Sequence, residues 1–199
     1  MSGMVEETSI ADLSGFQLLP WAKTFLDYTD AVINSLPEDE DALDWRPTDA
    51  AGTWYFSIRE QAMHIVDERH DAMWLSGEDP QGHLFMQEYG GTQKPWEFRK
   101  GSRAEIIESL KAGRSLLNSW LSRPNQELLE TTDRLREKHR TAVARLREEG
   151  KGDEADLLEV RGPSRIINSI LFLIAHEQSH RSVLQHLLRQ RGHEVTRYA

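Results

Sequence analysis

Apolar residues recur at steps of three and four through Phe16, Leu19, Ala22, Phe25, Leu26, Val32, Ile33 and Leu36, the spacing of one face of a helix. This predicts a helix over about Leu13 to Leu36, in which Pro20 either kinks the chain or opens the main part at a first-turn position. Pro37 and the acidic run Glu38 to Asp41 close it. After a loop through Trp45, Pro47 and Gly52, Ser57-Ile58-Arg59-Glu60 has the form of a capping box, so a second helix should run from about Ser57 to Leu75 and stop at Gly77 and Pro80. Residues 77–101 are rich in Gly and Pro and read as a long loop with a short helical piece near Leu84 to Glu88. A second capping box, Ser102 to Glu105, starts a third helix that carries Ile106, Leu110, Leu117, Trp120 and Leu121 and ends before Pro124. Residues 125–160 are charged; Arg134 to Glu149 reads as an exposed helix, whereas Asp156 to Val160 is too short to assign. The longest pattern, Arg165 to about Arg191, ends at Gly192.

Four long amphipathic segments with few strand signals predict an all-α fold, a four-helix bundle, with an extra helical insertion before the last helix. The 199 residues, at 22.9 kDa, suit a single domain spanning 1–199, large enough to bury a core without covalent staples. The absence of cysteine excludes disulfides, thiolate metal sites and a cysteine nucleophile. With 33 acidic against 24 basic residues the net charge is -9, which argues against binding nucleic acid, where clustered Lys and Arg supply much of the affinity. The acidic start MSGMVEETSI shows no signal peptide, and the longest apolar run, Ile170 to Ala175, is far short of a membrane span. A soluble, cytoplasmic protein without a membrane partner is the expectation.

Chemistry concentrates in the last helix. Its apolar stripe runs Ile166, Ile170, Leu173 and resumes at Leu184, Leu187 and Leu188, but His176-Glu177-Gln178-Ser179-His180-Arg181 interrupts it. At about 100° per residue, Glu177 and His180 fall on the apolar face and His176 on its flank. So many polar groups against a core are costly unless hydrogen-bonded, paired or bound to metal. His176 and His180 stand one above the other, roughly 6 Å apart at Cβ, so two imidazoles can converge on one ion.

His176 to His180 also fits H-E-x-x-H, the zincin pattern in which a Glu activates water between two zinc-binding histidines. The helix-breaking Gly of the extended pattern is replaced by Val183, however, and His186 points away on an unbroken helix, so a zincin-type metallopeptidase is disfavoured. A di-iron carboxylate bundle requires two Glu-x-x-His pairs; Glu177 and His180 supply only one. A third ligand must come from another helix. The second helix offers His64 and His70, both off the centre of its apolar face, and periodicity does not choose between them.

The stretch Asp44-Trp45-Arg46-Pro47, followed by Thr53-Trp54-Tyr55-Phe56-Ser57-Ile58-Arg59-Glu60-Gln61-Ala62-Met63-His64-Ile65, resembles the start of helix two in the DinB/YfiT-like metalloenzymes. His176-Glu177-Gln178-Ser179-His180-Arg181, running to Leu188-Arg189-Gln190-Arg191-Gly192, is similar to that family's last helix, with its H-x-x-x-H-R core and terminal L-R-x-x-G. The resemblance implies a four-helix bundle with a long crossover and a metal site formed by His64, His176 and His180. It also implies a homodimer, and relatives that bind low-molecular-weight thiols and transfer or isomerise them. Ser182 stands where the related ergothioneine-type synthases carry a Glu, which argues against their iron-dependent oxidative chemistry.

Three neutral imidazoles leave positions open on a divalent ion, zinc or nickel by ligand type. A metal-dependent transferase or hydrolase acting on a small-molecule substrate, with any thiol brought by cofactor or substrate, is therefore expected. Glu177 and Arg181 are the candidate catalytic residues, Glu60 and Glu68 further candidates for orienting a ligand or moving a proton. The non-enzymatic alternative is a dimeric binding or stress protein whose metal is structural or adventitious. His139 and His193 read as solvated, and the six tryptophans as mostly packing residues.

Overall fold

The computed structural model describes residues 13–47, 56–78, 82–88 and 96–195. The expectations that fall on Met1 to Ile10, Gly52 to Tyr55, Pro80, Gly90, Gly91 and Pro95 lie outside the described residues. The chain is mainly helical, in the order α1 (Gly15–Leu18), α2 (Ala22–Asn34), α3 (Glu40–Leu43), α4 (Ile58–Leu75), β1 (Met86–Glu88), β2 (Glu97–Phe98), α5 (Arg103–Leu121), α6 (Asn125–Leu128), α7 (Asp133–Glu148), α8 (Gly152–Arg161) and α9 (Ile166–Gln190). No helix among the described residues is long and apolar enough to cross a membrane.

The capping boxes set the helix starts. Ser57 and Ser102 cap α4 and α5, and Glu60 and Glu105 accept the Ser57 and Ser102 backbone N–H at 2.8 and 2.9 Å. The expected helix over Leu13 to Leu36 is divided at Pro20. Leu19, the residue before proline, is driven out of the α region to φ -123°, ψ 63°, and ends α1. The helical piece expected near Leu84 to Glu88 is instead β1, paired antiparallel with β2. Long-range contacts override the local pattern there. The Asp67 carboxylate accepts the N–H groups of Leu84, Phe85 and Met86 at 2.5–3.1 Å, and Phe85 is fully buried against Gly101, where an added Cβ would stand 2.5 Å from its ring.

Helix α4 packs against α9 and α5, and α2 packs against the same two helices. Their apolar residues form two clusters rather than one. The first gathers Ile33, Leu36, Ile58, Ile65, Ile106 and Leu187, and the second gathers Leu26, Met73, Leu117, Trp120, Ile170 and Leu173. On every one of the four helices the residues between the two clusters are polar or small: Thr29 and Asp30, Asp67 to His70, Gly113 and Arg114, Glu177 and Arg181. Arg69, completely buried, spans this layer, donating to both Glu177 oxygens at 2.8 Å and to Asp30 at 2.8 Å. Arg114 continues it to Asp30 and Asp27 at 2.8 and 2.6 Å. Burial works against charge on Arg69, but Glu177 and Asp30 outweigh it and raise its pKa. Gly113 leaves the room the guanidinium stem needs, since a Cβ there would lie 3.0 Å from Arg69 Cδ.

Helices α7 and α8 pack mainly on each other, and α7 also touches α4. The segment Asp156 to Val160, too short to assign from its pattern, belongs to α8, held by Arg147 pairs to Asp156 and Glu159 at 3.3 and 2.5 Å. His139 is not fully solvated as expected. It is half-buried and its Nε2 contacts the Leu158 carbonyl at 3.0 Å, tying α7 to α8. The first N–H of α9 is received by the Glu130 carbonyl at 2.9 Å, which joins the last helix to the end of α6.

Candidate metal centre

Helices α4 and α9 bring His64, His176 and His180 together, one ligand nitrogen of each lying within 4.8 Å of the others. Ring centroids are 4.3 Å apart for His176 and His180, 4.4 Å for His64 and His180, and 5.1 Å for His64 and His176. An ion at 2.0–2.1 Å in tetrahedral geometry separates its nitrogen ligands by about 3.3 Å, so modest side-chain rotations close the triangle. The three are close enough to hold a metal ion.

His64 is 1% exposed, and among the described residues its buried Nε2 has no hydrogen-bond partner, nor has His176 Nδ1. A buried imidazole nitrogen without a partner is an expensive arrangement unless something else satisfies it. Burial, then the neighbouring positive charges of His180, His176 and His83, pushes His64 down to about 2. Burial and His176 push His180 down to about 4, and burial lowers His176 as well. At neutral pH all three rings are uncharged, and an incoming cation has no proton to displace from them.

The surroundings orient two of the rings. His180 Nδ1 lies 2.5 Å from the Gln61 side-chain amide, which also donates to the His180 carbonyl at 3.3 Å. Gln61 sits one turn before His64 on α4 and is itself buried. With its amide turned over, the Gln61 oxygen accepts from Nδ1–H and leaves the His180 Nε2 lone pair for an ion. Glu68, one turn after His64, places Oε1 4.0 Å from His64 Nδ1. Burial, then repulsion from Asp71, raises the Glu68 pKa. Aromatic rings close the other sides. Phe56 stacks on His64 at 5.4 Å, Trp96 lies 5.1 Å from it, and Phe172 stacks on His176 at 5.5 Å. The β1–β2 pair thus has a second consequence: it carries Phe98 to 6.4 Å from His64.

The remaining candidates lie elsewhere. Both Glu177 oxygens are engaged by Arg69 in the polar layer. Arg181, 5% exposed, faces α2, donating to the Phe25 carbonyl at 3.2 Å with its guanidinium 4.2 Å above the Tyr28 ring. Glu60 is spent on the α4 cap and on Arg46 at 2.7 Å. His70 is buried, not partly exposed as its place on the helix suggests, and its Nε2 meets the Ser109 carbonyl at 2.9 Å on the α5 side. His186 is exposed on an α9 that continues unbroken to Gln190, and this geometry, with Glu177 bound to Arg69, leaves the zincin pattern without its base and its downstream ligand. Sequence reasoning missed Gln61 and the Arg69 partner of Glu177. A Gln one turn before a histidine is a usable signal for the first, but no local signal marks a pair 108 residues apart. No protein-family model, no curated protein and no solved structure matches the chain.

Proposed function

We propose that His64, His176 and His180 bind one divalent ion, zinc or nickel, and that the protein is a metal-dependent enzyme acting on a small molecule, with thiol-dependent transfer or isomerisation as the chemistry. On this reading α2, α4, α5 and α9 are a four-helix bundle of the DinB/YfiT-like kind. One observation carries it: three uncharged imidazoles converge while buried ring nitrogens on His64 and His176 have no partner among the described residues. The donor set fits a borderline ion, and three protein ligands without a fourth among the described residues match an open site rather than a closed structural one. When bound, such an ion supplies Lewis acidity that makes a nucleophile at neutral pH. Gln61 fixes the His180 ring, Glu68 lies 4.0 Å from His64 Nδ1, and Phe56 and Trp96 pack on the His64 ring as Phe172 does on His176. Two apolar clusters hold α4 to α9 above and below the trio, so the helices are joined without the ion. That feature supports a catalytic over a structural metal.

The test is elemental analysis of protein purified without a histidine tag, beside alanine variants of His64, His176, His180 and His70. Close to one zinc or nickel per chain, lost in the first three variants and kept in His70→Ala with the helical signal unchanged, is the expected result. No bound metal after reconstitution with either ion would sink the reading.

A further inference from the structure

A cavity of about 330 Å³ lies beside the trio, walled by α4, the start of α9 and the inserted helix α7. It shares two side chains with the metal centre: Glu68, whose Oε1 is 4.0 Å from His64 Nδ1, and Phe172, stacked on His176. The volume is at the small end of the range for ligand pockets. Its lining is of two kinds. Leu135, Leu173 and the face of Phe172, which is 64% exposed, form an apolar wall. The carboxylates of Glu68 and Asp71, 22% and 16% exposed at their side chains, share the lining with them. Lys138, the cation of the lining, pairs with Asp71 at 3.2 Å and is 60% exposed at the rim. Glu68 pairs with no lysine or arginine among the described residues. Lys138 and His83 act on Glu68 from beyond contact, and a half-buried carboxylate facing a cavity without a contacting basic partner favours a cation there.

We infer that this cavity is the substrate-binding arm of the metal centre and takes a small ammonium-bearing molecule. Glu68 and Asp71 receive the ammonium, Phe172, Leu135 and Leu173 enclose the carbon chain, and the molecule's other end, an anionic donor, reaches the ion. The inference rests on the metal-centre reading. It also gives the insertion a role, because Leu135 and Lys138 of α7 complete the wall that α4 and α9 leave open.

Three thiols that differ only in their tails test this on full-length protein loaded with cobalt(II), followed by the visible absorption of the ion. They are cysteamine (cationic tail), 2-mercaptoethanol (neutral) and 3-mercaptopropionate (anionic). A charge-assisted contact predicts cysteamine binding about tenfold or more tighter than 2-mercaptoethanol, with 3-mercaptopropionate weakest. Glu68→Gln should bring cysteamine to within about threefold of 2-mercaptoethanol while cobalt stays bound. Comparing this ratio between wild type and variant cancels the intrinsic acidity of each thiol. Asp71→Asn carries the same comparison if Glu68→Gln weakens cobalt binding. Equal affinities in a cobalt-loaded protein, a preference for the anionic tail, or a cysteamine preference that survives both variants overturns the inference and leaves the metal centre standing. Failure to bind cobalt overturns both.

Discussion

Helices α4 and α9 meet through two polar groups that obey opposite rules. In the layer between the apolar clusters, Arg69 is 0% exposed and Glu177 1%, yet both oxygens of one meet two nitrogens of the other, and Asp30 and Arg114 extend the chain of charges. Within one turn of it on α9, His176 and His180 meet His64, and buried ring nitrogens of His64 and His176 have no hydrogen-bond partner among the described residues. The first group is closed: taking charges out of water is offset by partners that the fold itself supplies. The second is open, and its unsatisfied atoms all point to a ligand from outside. Similar residue types on the same two helices therefore divide into one set that specifies how the helices dock and another that is left available for chemistry.

The largest test of this division is the closed pair. Glu177→Leu leaves a fully buried guanidinium short of its main partner and should cost about 3–5 kcal/mol of stability, read as a fall in the urea midpoint. The double variant Arg69→Met, Glu177→Leu should recover more than half of that loss, because an apolar pair of similar volume replaces the buried charges. In the open group, His176→Ala should change the stability of metal-free protein by less than about 1 kcal/mol. A Glu177→Leu protein as stable as wild type would show that the two groups do not differ in kind.

What the sequence makes legible follows the same line. The break in the α9 stripe is local, so the pattern exposes it, and the i, i+4 spacing of His176 and His180 follows from helix geometry alone. Capping boxes at Ser57 and Ser102 are equally local and fix two helix starts. His64 is different: periodicity leaves it level with His70, and only the resemblance separated them before the structure brought His64 to the pair and turned His70 to Ser109. Glu177 lies on the apolar face as the wheel requires, but its place between two histidines suggests catalysis, and the Arg69 that claims it is on another helix. The strand at Met86 to Glu88 is illegible for the same reason, since a carboxylate on α4 holds the N–H groups of Phe85 and Met86 at its start. Local periodicity carried the helices, and tertiary partners decided the roles of the polar residues.

Acid should open the difference further. The pKa values of His64 and His180 are depressed in the folded chain, to about 2 and about 4, from an ordinary value near 6.5. For a base this means the unfolded chain takes up the proton first. Stability that is fully present above about pH 6.5 is lost as pH falls, until His180 itself titrates near 4 and His64 lower still. Two such groups predict a loss of about 2 kcal/mol over the first pH unit below 6.5 in metal-free protein. His64→Leu should halve that slope. A metal-free protein with no pH dependence between 6.5 and 5 would mean that the rings are not held neutral.

The smallest effect should come from Gln61, which belongs to the open group yet is itself satisfied. Its amide contacts His180 Nδ1 at 2.5 Å and the same residue's carbonyl at 3.3 Å, so it holds the ring without contributing a ligand. Gln61→Leu keeps the buried volume and removes both contacts, which should weaken zinc affinity by about tenfold, or about 1.4 kcal/mol. A Glu substitution at this position offers a carboxylate to Nδ1–H and should hold affinity at or above the wild-type level. Competition with a chromophoric chelator measures both. If Gln61→Leu binds zinc as tightly as wild type, the orientation of His180 is set by the helix and the ring packing alone. The open group would then consist of the three histidines with no supporting hydrogen bond from α4.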